Sequence, residues 1–133
     1  TAMIAAYTLW YALLYDNKCI CLLSYNKNAA IEILRIIREL YIYLPKSLQL
    51  DAKVWTNECV HFINNTRITI CNCQASSSIK GRAFDLIVVD DADNISDKDF
   101  NNFMMSVFPT QACNLDGQMI FITTPQDKNS KFH

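Results

Sequence analysis

The chain has 133 residues, 51% of them apolar, and its 12 basic residues nearly balance its 13 acidic residues. This length fits one domain with a sizeable core, and the balanced charge excludes an evenly basic nucleic-acid binder, so any contact with DNA must be local. With only 2 glycines and 3 prolines, the chain is neither a disordered tail nor a loop-rich scaffold.

The first third of the chain predicts a helix, a strand and a second helix. Residues 1–15 are apolar nearly all round, which predicts a buried helix whose length of about 22 Å is too short for a hydrocarbon core of about 30 Å. Residues 18–24 form a short, continuous apolar run, typical of a strand that is covered on both faces in a parallel sheet. Residues 26–44 carry apolar side chains at helical spacing, and Pro45 follows them.

The middle of the chain predicts three short strands, at residues 53–56, 60–63 and 67–73. Asn64 and Asn65 lie between the last two strands, where such a pair favours a tight turn. We therefore expect a small β-hairpin insertion in this region.

Two further apolar strands follow, at residues 85–90 and 118–124, and a helix is predicted between them at residues 97–108. No internal repeat, linker or low-complexity stretch interrupts this pattern. The sequence therefore predicts an α/β fold in which helices cover both faces of a mainly parallel sheet.

Four of the six cysteines form two C-x-C pairs inside predicted strands, Cys19 with Cys21 and Cys71 with Cys73. Alternation along a strand places both members of a pair on one face of the sheet. A zinc site would favour C-x-x-C or histidine pairs at ligand spacing, and His61 is the only histidine nearby. We therefore predict buried, reduced thiols, which fit a cytoplasmic or nuclear setting.

The strand at residues 85–90 leads into two adjacent carboxylates, Asp90 and Asp91. Because ligands of parallel sheets gather beyond the carboxyl ends of the strands, these acids are candidate site residues. In P-loop ATPases the first acid of such a pair orients Mg²⁺ through its water shell, and the second polarises the attacking water. The alternative is structural, since strands often end in an Asp that caps the next turn.

Thr123 and Thr124 end the strand at residues 118–124, at the edge predicted to carry the acid pair. Their hydroxyls are candidates for sensing the γ-phosphate of a nucleotide and passing its loss to a moving element. The β-propensity of threonine before the turn-setting Pro125 is an equally good explanation.

A polar, basic segment at residues 75–84 precedes the acid-tipped strand and contains Lys80 and Arg82. These cations are candidates for contacting a phosphate or the DNA backbone. A solvated loop with two cations is the alternative.

In order and spacing, these features resemble the ATPase domain of the large terminase subunit of tailed bacteriophages and related viruses, a three-layer P-loop NTPase. The similarity runs from Thr1 to about Phe132. Its motifs are the helix and strand from Tyr7 to Ser24, Glu32-Ile33-Leu34, Leu44-Pro45, Leu48-Gln49, Val54-Trp55, the hairpin, the segment with Gly81 and Phe84, the acid-tipped strand and Thr123-Thr124-Pro125.

The resemblance assigns roles to the two strand ends. It implies that Asp90 is the Walker B acid that holds Mg²⁺ and that Asp91 is the catalytic carboxylate. It also implies that Thr123 and Thr124 form the coupling motif beside the nucleotide. The family often has Glu at the second acid position, so the carboxylate of Asp91 is one methylene shorter.

Three further assignments follow from the resemblance. Lys80 stands where the family usually has an Arg that contacts a neighbouring subunit's nucleotide, and Arg82 lies nearby; Lys lacks the planar fork of Arg. The glycine-rich phosphate-binding loop does not occur in these residues, and Thr1 falls at or just after the hydroxyl residue that closes it. Thr1 is therefore expected beside the nucleotide and its Mg²⁺.

The resemblance implies an ATP-hydrolysing motor that packages DNA, with ATP and Mg²⁺ as ligands. Its partners would be double-stranded DNA, a viral portal and sister subunits in a ring, without a membrane, in the cytoplasm or nucleus of the infected host cell. Residues 1–133 would be a single partial ATPase domain, without the family's nuclease domain and nearly inactive alone. The alternatives are an inactive terminase-like module with a binding or structural role, and a helicase-like ATPase fragment.

Overall fold

The computed structural model describes residues 2–71, 83–112 and 117–123, with the side chains of residues 108–112 excepted. Within these ranges the chain forms three α-helices, six strands and a short 3-10 helix. In chain order they are α1 (Ala2–Leu14), β1 (Cys19–Leu23), α2 (Lys27–Tyr43), β2 (Ala52–Trp55), β3 (Cys59–Phe62), β4 (Arg67–Ile70), β5 (Leu86–Asp90), the 3-10 helix (Ala92–Asn94), α3 (Asp97–Ala112) and β6 (Gln118–Ile122).

The strands form one sheet in the order β2-β3-β4-β1-β5-β6. Strand β1 pairs in parallel with β4 and β5, and β5 pairs in parallel with β6. Leu22 lies beside Val88, which lies beside Ile120. The prediction that the three strongly apolar strands are parallel neighbours is confirmed.

The predicted hairpin is present as β3 and β4, which pair antiparallel. Asn65 has a φ of 65°, and the N–H of Phe62 donates to the carbonyl of Thr66 at 3.0 Å across the turn. The side chain of Asn64 accepts from the N–H of Thr66 and donates to the carbonyl of Ala12 at the end of α1. Because β4 also pairs with β1, the hairpin and β2 continue the main sheet.

Helices cover both faces of the sheet, as predicted. Side chains of α1 and α2 pack on one face with Ile20 and Leu22 of β1, and α3 packs on the other face with Cys21 and Leu23. This division follows from the alternation of side chains along a strand. We call the two layers of apolar side chains the α1–α2 core and the α3 core. The buried side chains that α1 and α2 contribute are Ile4, Ala5, Leu9, Tyr11, Ala12, Ala30, Ile33, Leu34 and Ile37.

Helix α1 is not buried all round, so this part of the prediction is wrong. It buries Leu9 and Ala12 against the sheet and α2, but Met3 is 86% exposed and Trp10 is 48% exposed. A helix that covers one face of a sheet can bury only the sides that meet the sheet and its neighbouring helix. Among the described residues, no helix combines the length and apolar run needed to cross a bilayer.

The largest differences from the predicted element ends are those of α3 and β4. Helix α3 continues to Ala112, four residues beyond its predicted end at Phe108, although Pro109 cannot donate the hydrogen bond of a helical N–H. Strand β4 ends at Ile70, where its pairing with β1 ends, and residues 72 and 73 of the predicted strand lie outside the described residues.

In the described part of the chain, Cys19, Cys21, Cys59 and Cys71 form no disulfide bonds. Cys19 and Cys21 both contact the α3 core, which confirms that this C-x-C pair lies on one face of the sheet. Cys73 lies outside the described residues. Across residues 2–71, 83–112 and 117–123, no group of three or more His, Cys, Asp or Glu side chains is placed to hold a metal ion.

Candidate functional site at the carboxyl edge of the sheet

The carboxyl ends of β1, β5 and β6 meet at one edge of the sheet because these strands are parallel neighbours. Ser24 directly follows β1, and Thr123 directly follows β6. Asp90 is the last residue of β5, and Asp91 follows it. We call this group the acid edge. It lies where parallel α/β sheets bind their ligands.

Asp90 is the last residue of β5 and pairs with Ile122 of β6. It is 5% exposed, whereas every other residue of β5 is apolar and fully buried. A buried carboxylate requires a compensating charge or hydrogen bonds, because desolvation of the charged form is costly. Asp90 thus places a buried carboxylate at the acid edge, at the end of a central strand.

Asp91 has a left-handed backbone conformation, with φ 50° and ψ 45°. It stands at the N-cap position of the 3-10 helix, but its side chain makes no capping hydrogen bond there. The turn is closed by the backbone, since the N–H of Asn94 donates to the carbonyl of Asp91 at 3.0 Å. The exposed carboxylate of Asp91 therefore does not cap the turn after the strand, which was the structural explanation for an Asp at this position.

Two effects raise the pKa of the Asp91 carboxyl above its ordinary value. The larger is partial burial, which penalises the charged form, and the second is the negative charge of Asp90. A divalent cation at this position would offset the repulsion between the two carboxylates. Carboxylate oxygens are the ligands that Mg²⁺ prefers, so the donor set fits this ion.

Thr123 contacts the turn that carries the acids. Its Oγ1 accepts a hydrogen bond from the N–H of Asp93 at 3.0 Å. A hydroxyl that accepts a bond retains its own proton for donation. The structure thus brings Asp90, Asp91 and Thr123 together, as the sequence predicted.

Ser24 is a member of the acid edge that sequence reasoning missed. Its Oγ donates to the backbone carbonyl of Asp90 at 3.3 Å, and the residue is only 3% exposed. The available signal was a polar residue directly after an apolar strand. Its importance depends on β1 lying beside β5, which brings Ser24 next to Asp90.

Four predicted site residues lie outside the part of the chain that the structure describes: Thr1, Lys80, Arg82 and Thr124. Their roles stay predictions.

An apolar groove of about 450 Å³ lies between α1, α2 and the segment that follows α2. Leu9, Trp10, Leu13, Leu40 and Leu48 are among the residues that line it. Carbon-rich walls of this kind offer few hydrogen-bond donors to a phosphate, so the groove does not fit a nucleotide.

Solved structures with the same fold include large terminases of bacteriophages. The ATPase domain of the Thermus phage P74-26 large terminase superposes with a TM-score of 0.68 at 13% sequence identity, over 95% of this chain and 55% of that one. The chain has a terminase ATPase-domain fold. The HK97 bacteriophage large terminase gives a TM-score of 0.70 at 14% identity, over 92% of this chain and 26% of that one.

The large terminase of a further, thermophilic bacteriophage matches with a TM-score of 0.66 at 11% identity, over 92% of this chain and 30% of that one. Matching structures of that thermophilic phage terminase include complexes with ADP and with ATP-γ-S. No protein-family model matches the sequence, and no curated protein does so at a significant level. The chain spans between 26% and 55% of the terminases compared above, and the likeness shows the fold.

Proposed function

We propose that this chain is part of the ATP-hydrolysing motor of a viral DNA-packaging terminase. The observation that carries the proposal is the exposed, left-handed Asp91, whose carboxylate does not cap the 3-10 helix and which follows the buried Asp90 at the acid edge. A terminase ATPase-domain fold supports the same function, and terminase structures of this fold occur with ADP and ATP-γ-S.

In this proposal Asp90 holds Mg²⁺ and Asp91 orients and polarises the attacking water. Bound Mg²⁺ supplies positive charge that offsets the charge of the phosphates. Asp91 suits the second role because its raised pKa makes its carboxylate a better proton acceptor. Its exposure leaves the carboxylate accessible to water, whereas burial holds Asp90 in one position.

Thr123 and Thr124 would form the coupling motif beside the nucleotide. The Oγ1 of Thr123 accepts a hydrogen bond from the N–H of Asp93, in the turn after Asp91. The hydroxyl proton of Thr123 stays available for donation to a phosphate oxygen. One hydroxyl could therefore link the loss of a γ-phosphate to a movement of the turn. Thr1 would lie beside the nucleotide and its Mg²⁺.

Lys80 and Arg82 would contact phosphates, either of a neighbouring subunit's nucleotide or of the DNA backbone. The net charge of -1 requires that contact with double-stranded DNA be local. The proposed partners are double-stranded DNA, a viral portal and sister subunits arranged in a ring. The proposed location is the cytoplasm or nucleus of the infected host cell.

Measurements of Mg²⁺-dependent ATP affinity in the full-length protein test the separate roles of the two acids. We expect Asp90→Asn to weaken Mg²⁺-dependent affinity by about tenfold or more, as loss of a group that orients a metal's ligands commonly does. Asp91→Asn should change ATP affinity by less than about threefold, because Asp91 contacts the attacking water. Equal affinity for Asp90→Asn and the parental protein would contradict the assignment of Asp90.

A further inference from the structure

The turn that carries Asp91 is held by hydroxyl groups from both neighbouring strands. On the β1 side, Ser24 Oγ donates to the carbonyl of Asp90. On the β6 side, Thr123 Oγ1 accepts from the N–H of Asp93. Since β1 and β6 flank β5 in the sheet, the two contacts fix the backbone immediately before and shortly after Asp91.

The left-handed backbone conformation of Asp91 benefits from such support. This conformation costs most L-residues about 1–2 kcal/mol, although aspartate and asparagine adopt it more readily than the others, and it persists only when the surroundings determine it. Two backbone bonds close the 3-10 helix, from Asn94 to Asp91 and from Ile95 to Ala92. Ala92 and Ile95 are buried in the α3 core, which anchors the far end of the turn.

Ser24 is otherwise an unexpected residue at its position. It is almost fully buried directly after four consecutive buried residues of β1, where an apolar side chain would pack without a polar atom to satisfy. Its hydroxyl meets the carbonyl of the peptide bond that joins the two acids. The buried hydroxyl of Ser24 therefore helps to fix the orientation of the peptide bond between Asp90 and Asp91.

We propose that Ser24 and Thr123 are positioning residues that together hold the Asp90–Asp91 peptide and the left-handed turn after it in the geometry needed for catalysis. The proposal rests on the proposed function for its catalytic meaning. The holding contacts themselves are properties of the 133-residue chain and can be tested in it directly.

The test is amide hydrogen exchange in the chain, with the exchange rates of residues 92–95 measured by NMR. Ser24→Ala and Thr123→Val nearly preserve side-chain volume and remove one hydrogen bond each. We expect Thr123→Val to speed exchange of the turn amides by about fivefold, the effect of one ordinary hydrogen bond. Ser24→Ala should speed it by a smaller factor, because the 3.3 Å bond of Ser24 is longer than an ordinary O–H···O bond. In Thr123→Val the amide of Asp93 should change most, because it loses its acceptor.

Conservative variants and a matched serine serve as controls. Ser24→Thr and Thr123→Ser keep the hydroxyl and should restore slow exchange. Ser106→Ala removes a serine bond to the backbone carbonyl of Asn102 in α3 and should leave the turn amides unchanged. Exchange in Ser24→Ala and Thr123→Val that matches Ser106→Ala would overturn the proposal.

A kinetic measurement separates this proposal from the proposed function. In the full-length protein, Ser24→Ala should lower kcat by about tenfold, within the range that positioning commonly contributes, while the KM for ATP stays nearly constant. Ser24→Thr should recover most of the loss. An equal loss in Ser24→Ala and Ser24→Thr would contradict positioning by the hydroxyl. Absence of ATP turnover in the parental protein would instead contradict the proposed function. The hydrogen-exchange result would then still decide whether Ser24 and Thr123 hold the turn.

Discussion

Three non-glycine residues in the described part of the chain have a positive φ: Asn17, Asn65 and Asp91. Asparagine and aspartate enter the left-handed region more readily than most residues, and both asparagines lie in turns between regular elements. Asp91 combines the same conformation with a carboxylate at the acid edge. Strain at this position is therefore associated with the candidate site, as strained residues often are.

The strain at Asp91 predicts an unusual order of stability for two replacements. Asp91→Gly should be more stable than Asp91→Ala by about 1 kcal/mol, because glycine adopts the left-handed conformation without a Cβ clash. Both changes remove the carboxylate, so the comparison isolates the backbone. Urea unfolding gives the two free energies.

Asp99, in the first turn of α3, provides the control for this comparison. There Ala should be more stable than Gly by about 1 kcal/mol, the ordinary helical preference. An Ala variant at position 91 at least as stable as the Gly variant would contradict the left-handed assignment.

At the scale of elements, the best-predicted helix is α2, whose predicted ends at residues 26 and 44 are each one residue outside the observed Lys27–Tyr43. Its apolar stripe and its polar start were both readable from the sequence. The exposed face of α1 was not readable, because its apolar side chains surround the helix. Which of them reach the sheet depends on how α1 packs against α2.

The start of α2 is capped by Asn26, whose Oδ1 accepts from the N–H of Ala29 at 2.8 Å. Asn26→Ala should lower the free energy of unfolding by about 1 kcal/mol, because an N–H at the helix start loses its partner. Asn28→Ala, two residues further along the exposed surface, should leave stability unchanged or slightly higher. Thermal or urea unfolding distinguishes the two, and equal losses would contradict the capping role.

At the scale of the whole molecule, the α1–α2 core and the α3 core share the central strands. Alternating side chains of β1 and β5 pack into the two cores. Disruption of either core should therefore expose the backbone of these two strands and unfold both cores together. Phe103→Ala removes a fully buried ring from the α3 core and should cost about 3–5 kcal/mol.

Met105 on the same helix is 78% exposed, and Met105→Ala should stay within about 0.5 kcal/mol of the parental protein. Unfolding should be followed through the tryptophans, which lie on the opposite side in α1 and β2. A tryptophan signal unaffected by Phe103→Ala would contradict cooperative unfolding of the two layers.

The three parallel strands and the acid edge were predictable because continuous apolar runs mark buried strands and because parallel strands end at one edge. Hydrogen bonds between strand ends were not predictable. Ser24 reaches Asp90, and Thr123 reaches Asp93, only through the lateral order and register of β1, β5 and β6. That order arises from packing across the sheet, which local patterns do not contain.

The proposed role of Asp91 in ATP hydrolysis is tested most directly by ATP turnover of Asp91→Asn in the full-length protein. We predict that turnover falls by about a hundredfold or more, as loss of a general base commonly causes, while ATP binding survives. Asp99→Asn removes the same charge in α3 and should keep turnover within about twofold of the parental rate. Hydrolysis by Asp91→Asn at the parental rate would contradict the account and leave the acid pair with a structural role.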